Sequence, residues 1–291
     1  MNYQNLLEYF RSTKKGDKLI GMEVETSFVN QDGFPITKKC SQKILKNLPW
    51  EIQTIRGELI TELKLPDGSK LSYELGRQNL ELSLSPYPIS KVIAKGREFL
   101  EQIYSTANQF GAEPWFSPIL KTDEDLLVIP DERDATWLKL DGRPALNLLA
   151  RCSSVQFTIG TSYQKAVGQL NSLLNALPEF LVNYPQDKLW KQYIKSSKAA
   201  YLPKRYGGPR SFISMVDYGI QLTKHKVIYK DQLVDWDQLD EFDIDQFLRS
   251  VWWYFRLRRY QDQLCIEVRP LPRTSDCELK NQLAQVLEYC G

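Results

Sequence analysis

The chain has 291 residues, 42% hydrophobic and 25% charged, enough to bury a large core as one big domain or two small ones. Its 38 basic and 36 acidic side chains leave a formal charge of +2, too little to draw it to nucleic acid or membrane by net field. The longest apolar runs fall short of the roughly 18 residues a membrane span needs, and the opening MNYQNLLEYFRSTKKGDK lacks the apolar core of a signal peptide.

Tyr3–Arg11 reads as a short amphipathic helix, and Lys18–Asn30 alternates apolar and acidic residues as a strand does. Asp32-Gly33 marks a hairpin turn and Ser41–Leu48 a short helix. Glu51–Lys64 and Lys70–Ser85 read as strands on either side of the turn Pro66-Asp67-Gly68. Pro86 and Pro88 stop the second strand, and Ser90 is placed to cap a helix over Lys91–Phe110. Glu113–Asp141, rich in prolines and acids, predicts a long structured loop, followed by a strand over Asn147–Gly160 and a helix over Ser162–Phe180. Lys198–Arg210 is basic, aromatic and turn-rich, Phe212–Val227 predicts strand or irregular chain, and acidic Asp231–Asp245 leads into a helix at Gln246–Arg256. Gln263–Leu271 reads as a strand and Cys277–Tyr289 as a closing helix. No repeat or long linker interrupts this order, so residues 1–291 are expected to form one domain. Hairpin-joined strands with helices in batches predict an α+β fold on an antiparallel sheet.

Five scattered cysteines, without a Cys-x-x-Cys, argue against a disulfide scaffold or zinc site and fit a reducing cytoplasm. With only one histidine, His225, carboxylates and arginines are left to carry any chemistry. His225, between two lysines, is expected at the surface, and Trp252 and Trp253 in core or pocket wall. In Gly21-Met22-Glu23-Val24-Glu25 the two glutamates project from one strand face. Glu74 and Glu81 lie seven positions apart, an odd spacing that needs a bulge near Gly76 to aim both the same way. Glu267 and Arg269 share a face. Glutamates gathered on a concave face repel unless cations intervene, and an oxygen-rich, histidine-poor set suits Mg²⁺ or Mn²⁺. The bland alternative for any one pair is a solvated sheet face. Arg151, Arg210 and Arg269 add guanidinium groups suited to carboxylate or phosphate, whereas Arg256, Arg258 and Arg259 read as a solvated or ion-paired cluster. Neither a Walker loop nor a dinucleotide fingerprint occurs.

Gly21–Phe28 (GMEVETSF), Glu74–Pro86 (ELGRQNLELSLSP), Phe110–Pro130, Leu149–Gly160 (LARCSSVQFTIG) and Cys265–Pro270 (CIEVRP), in this order, resemble the glutamate–cysteine ligase family of glutamine-synthetase-like carboxylate–amine ligases, in particular its plant and proteobacterial branch. The resemblance runs from about residue 18 to about residue 276 and is carried by these short motifs. It implies a curved antiparallel sheet with helices packed on its outer face. It also implies that ATP, as co-substrate, phosphorylates the γ-carboxylate of glutamate, and that an amine, cysteine in the family's usual case, displaces the phosphate. Carried over by residue, Glu23, Glu25, Glu74, Glu81 and Glu267, with Gln156 beside one metal, would hold two or three Mg²⁺ or Mn²⁺ ions. Arg210 and Arg269 would stabilise the transferring phosphoryl group and Arg151 would hold a substrate carboxylate. The loops Glu113–Pro144 and Lys198–Pro209 are the candidate cover that excludes water.

The acceptor amine and even the acid remain open by sequence, as does a homodimer. The alternatives are the same chemistry on a different acid or amine, and a catalytically inactive nucleotide-binding relative. A nucleic-acid module has only Lys198–Arg210 behind it.

Overall fold

Ile20, Met22 and Val24 form a dry row along Leu19–Asn30 (β1), and Gly21, Glu23 and Glu25 form the row between them. A strand so patterned has one face for a core and one for something polar. In the computed structural model, which describes residues 3–11, 19–197, 205–229, 232–238, 244–260 and 262–290, β1 lies inside a ten-stranded antiparallel sheet. The same sheet holds Glu51–Arg56 (β2), Leu59–Lys64 (β3), Lys70–Tyr73 (β4), Asn79–Ser83 (β5), Tyr87–Pro88 (β6), Ala112–Trp115 (β7) and Ser154–Gly160 (β8). Two short pairs lie apart, Tyr206–Gly207 (β9) with Trp252–Trp253 (β12), and Val227–Tyr229 (β10) with Gln232–Val234 (β11). Phe255–Tyr260 (β13) and Gln263–Pro272 (β14) complete the sheet, whose order is β13-β14-β8-β1-β5-β4-β3-β2 with β6 and β7 also on β1.

The helices are Tyr3–Arg11 (α1), Lys38–Asn47 (α2), Ile89–Asn108 (α3), Glu132–Asp141 (α4), Arg143–Leu149 (α5), Tyr163–Asn175 (α6), Leu177–Val182 (α7), Gln186–Ser196 (α8), Met215–Thr223 (α9), Ile244–Arg249 (α10) and Leu279–Cys290 (α11). Apolar faces of α2, α3, α6, α7 and α11 bury Leu45, Phe99, Leu100, Leu170, Phe180 and Leu283 in one cluster with Val24, Leu82, Phe157 and Ile266 of the sheet. The opposite sheet face is left polar. A smaller cluster of Trp137, Leu146, Tyr193 and Trp252 joins α4, α5 and α8 to β12. Among the described residues no helix is long and apolar enough to cross a membrane.

The α+β class and antiparallel sheet agree with expectation, but several elements differ. Glu113–Asp141 is not a loop throughout: Asp131 caps α4 by accepting from Asp134 N at 2.8 Å, and Gly142 (φ 86°) and Pro144 pass the chain into α5. Asn147–Leu149 therefore belong to α5, and β8 starts at Ser154. The helix predicted at Gln246–Arg256 ends at Arg249, because Phe255 and Leu257 alternate with Arg256 and Arg258 at the period of a strand that pairs with β14. Phe212–Val227 holds α9, capped by Ser214, and α8 is a helix that the charge pattern did not announce. Pro88, not Ser90, occupies the cap position of α3. Residues 198–204 of the basic stretch, and 231 and 239–243 of the acidic segment, lie outside the described residues.

Candidate active site

The polar face of the sheet forms the floor of a cleft of about 710 Å³. Glu23, Glu25, Glu74, Glu81, Gln156, Glu267 and Arg269, which come from β1, the β4–β5 hairpin, β8 and β14, all line it. Arg151 and Arg210 do not: Arg151 stands before β8 with Nη1 4.0 Å from Asp123, and Arg210 is exposed beyond the Gly207-Gly208-Pro209 turn.

Glu74 and Glu81 reach one face by chain reversal, not by a bulge. Lys70–Ser85 is two strands, β4 and β5, with Ser72 opposite Glu81 and Tyr73 opposite Leu80. Glu74 N donates to Asn79 O at 3.1 Å, and Asn79 N to Gly76 O at 2.8 Å, closing the turn. Residues two apart share a face, so Glu74 falls on the side of Ser72 and hence of Glu81. Glu81 is also the direct cross-strand partner of Glu25, and Glu23 that of Gln156. A bulge in β14 between Val268 and Leu271 sets Arg269 at the middle of the floor.

There the charges interlock. Glu267, 2% exposed, accepts at Oε1 from Arg256 Nη2 (2.6 Å) and Arg269 Nη1 (2.5 Å). Arg269 Nη1 also reaches Gln156 Oε1 at 2.7 Å, and Gln156 Nε2 donates to Glu25 Oε1 at 3.4 Å. Glu25 Oε2 accepts from Ser154 N at 2.8 Å. A continuous chain of polar contacts thus runs from Arg256 through Glu267, Arg269 and Gln156 to Glu25.

The titration of these groups follows from their places. Burial, then Glu81 and Glu267, push the Glu23 carboxyl up to about 8, with Arg269 and Arg256 pulling the other way. Burial and Glu81 push Glu25 to about 8 against the Ser154 N–H and Arg269. Burial alone would also raise Glu267, but Arg256, Arg269 and Arg258 override it and hold the carboxyl at about 2. The site is therefore divided into a cation-rich side at β13–β14 and an anion-rich side at β1–β5.

A cation would relieve the anion-rich side. The donors there are glutamate oxygens, matching a hard divalent ion in kind. As the side chains stand, no three carboxylate, histidine or cysteine groups converge on one point among the described residues. Gln156 Oε1 and Glu267 Oε1 are already engaged by arginine.

Several contributors went unread in the sequence. Arg256 and Arg258 are buried at the floor, where a solvated or ion-paired cluster was expected; the ion pairing is present, the solvation is not. Their alternation with Phe255 and Leu257 was the available signal. Asp131, Asp134, Trp137, Trp190, Tyr193 and Trp252 also line the cleft; the first three lie in the Glu113–Pro144 segment expected as cover and Trp252 was expected in core or pocket wall, whereas Trp190 and Tyr193 of α8 were not expected. Trp253 is in the core. His225 is buried against Trp253 at 5.7 Å between ring centroids, contrary to a surface position, and its carbonyl accepts from Trp236 Nε1 at 2.7 Å.

No protein-family profile and no curated protein matches the chain. Among solved structures, the fold is similar to a glutamate–cysteine ligase from Francisella tularensis in complex with AMP, at TM-score 0.47 and 13% identity, over 89% of this chain and 62% of that one. It is similar to a bifunctional glutathione synthetase from Pasteurella multocida at TM-score 0.48 and 14% identity, over 99% of this chain and 39% of that one. A glutamine synthase homolog gives TM-score 0.45 and 12% identity, over 99% and 57%. The chain spans between 39% and 62% of the length of these proteins.

Proposed function

We propose that the chain is an ATP- and magnesium-dependent carboxylate–amine ligase, acting as one catalytic domain over residues 1–291, that phosphorylates the γ-carboxylate of glutamate and joins it to an amine, with cysteine the first candidate. One observation carries this: glutamates from two separate sequence motifs line a single cleft opposite the Arg256–Glu267–Arg269 cluster of a third. Acidic and guanidinium groups facing each other across a cleft are what transfer of a phosphoryl group to a carboxylate requires.

Glu23, Glu25, Glu74 and Glu81 would hold magnesium, with Gln156 and Glu267 adjoining. Bound there, magnesium supplies neutralisation of phosphate charge. Arg269, held by Glu267 and Gln156, is the group positioned to meet the transferring phosphoryl and the acyl phosphate formed from it. Glu267 orients Arg269 and Arg256 and keeps both charged. The wall of Trp137, Trp190, Tyr193 and Trp252 excludes water from its part of the cleft, so that an amine and not hydrolysis ends the reaction. Arg151 and Arg210, outside the cleft, take no step. A reducing, cytoplasmic setting accords with five free cysteines.

The test is ADP release from Mg²⁺-ATP with glutamate alone and then with each of a panel of amines including cysteine. Release that needs glutamate and rises with one amine is expected, together with a loss of at least ~100-fold in Arg269→Lys, because a lysine whose one ammonium engages Glu267 and Gln156 has no second nitrogen to offer the phosphoryl group. No turnover with any pair, despite ATP binding, would turn the proposal to a binding-only relative.

A further inference from the structure

The sheet ends on one side at β2, and every residue of β2 from Glu51 to Ile55 is exposed. An outer strand of this kind offers a row of backbone donors and acceptors to whatever pairs with it. Two bulges shape it. Gln53 is extra in β2 and Thr61 is extra in β3, so the register leaves Ile52 opposite Leu63 and Ile55 opposite Ile60. Leu63 and Ile60 are buried in the core, so Ile52 and Ile55 lie together on the helix-covered side of the sheet although they are three apart in sequence. They form the bare margin of that core, at 48% and 60% exposure. Glu51, Thr54 and Arg56 fall on the cleft side. Arg56 is half-buried, and among the described residues its buried Nη1 has no hydrogen-bond acceptor.

The segment Glu51-Ile52-Gln53-Thr54-Ile55-Arg56 is complementary to itself when reversed. Laid antiparallel on a second copy, Glu51 meets Arg56, Ile52 meets Ile55 and Gln53 meets Thr54, and the relation holds both ways, as a two-fold interface demands. The bulge is what makes this workable, since it brings both isoleucines to one face and both charges to the other. From this we infer that β2 is the interface of a homodimer, in which the two sheets join edge to edge by β2–β2 pairing. Two opposite-charge pairs and two isoleucine pairs then close the margin. Thr54 of β2 and Thr61 and Glu62 of β3 line the cleft, so the joint also braces one cleft wall in each copy. The inference is independent of the proposed reaction, which uses no residue of β2.

Sedimentation and light scattering of the whole chain over a concentration series test it, with circular dichroism melting to confirm that each variant folds. Twice the chain mass is expected for the native protein, and Ile55→Lys is expected to weaken association at least tenfold. Glu51→Arg and Arg56→Glu, which each set like charges face to face, should do the same. The double variant Glu51→Arg/Arg56→Glu restores both pairs and should return association to within about threefold of native. A monomer at every concentration, a dimer indifferent to Ile55→Lys, or a folded double variant no better than either single one overturns the inference.

Discussion

Glu23 and Glu25 hold their protons up to about pH 8, while Glu267, on the same floor, gives its proton up at about 2. The difference is one of neighbours. Burial weighs on all three, but only Glu267 has two guanidinium groups within hydrogen-bond reach. The two kinds of shift act on stability in opposite senses. Glu23 and Glu25 have folded values above the ordinary 4.5, so between 4.5 and 8 the folded chain binds protons that the unfolded chain has lost. Stability from this source falls as pH rises through that window, by at most about 1.4 kcal/mol per pH unit for each group. Glu267, with its value lowered, contributes stability that is present above 4.5 and lost as pH falls toward 2. We therefore expect the magnesium-free protein to melt at progressively lower temperature from pH 5 to pH 8. Glu25→Gln should flatten that slope, and added magnesium should raise the melting temperature more at pH 8 than at pH 6, because protons and cations compete for the same oxygens. Scanning calorimetry across this pH range checks it, and a profile that Glu25→Gln leaves unaltered would count against a protonated Glu25.

The β4–β5 hairpin is the element on which the acidic side depends. Its turn is tight: a Cβ added at Gly76 would lie 2.6 Å from the Ala150 carbonyl oxygen and 2.7 Å from the Gln78 amide. Gln78 is itself tied down, donating to Ala150 O at 2.8 Å, so it cannot move aside without losing that bond. Gly76→Ala is expected to cost about 1–3 kcal/mol, as overfilling a packed site does. It should also weaken magnesium binding by turning Glu74 away from Glu81. Denaturant unfolding gives the first quantity and metal titration the second; unchanged affinity with lowered stability would remove Glu74 from the acidic set.

Across the whole molecule, what could be read from the sequence depended on period. Rows such as Glu23/Glu25 and Glu267/Arg269 declared their faces because two-residue alternation is a local property. The face shared by Glu74 and Glu81 was not local, since it depends on a reversal at Gly76 that looks like one strand when read along the chain. α4 was hidden for a similar reason, because acids and prolines suggest a loop until Asp131 is seen to cap the first turn of a helix. For Arg256 and Arg258 solvation could not be told from ion pairing because counterions cannot be found by reading neighbours; theirs, Glu267 and Asp245, lie across a strand pair and on α10. That separation has an effect during synthesis. Glu23 and Glu25 leave the ribosome well before Arg269, and β8 and β14 must both arrive before the guanidinium side stands beside the acidic one. Until then Glu23 and Glu25 lack the Arg256 and Arg269 guanidinium groups that pull against their burial in the folded chain. They stay hydrated and unlatched, and the arrival of β14 beside β8 decides when the cleft comes into being.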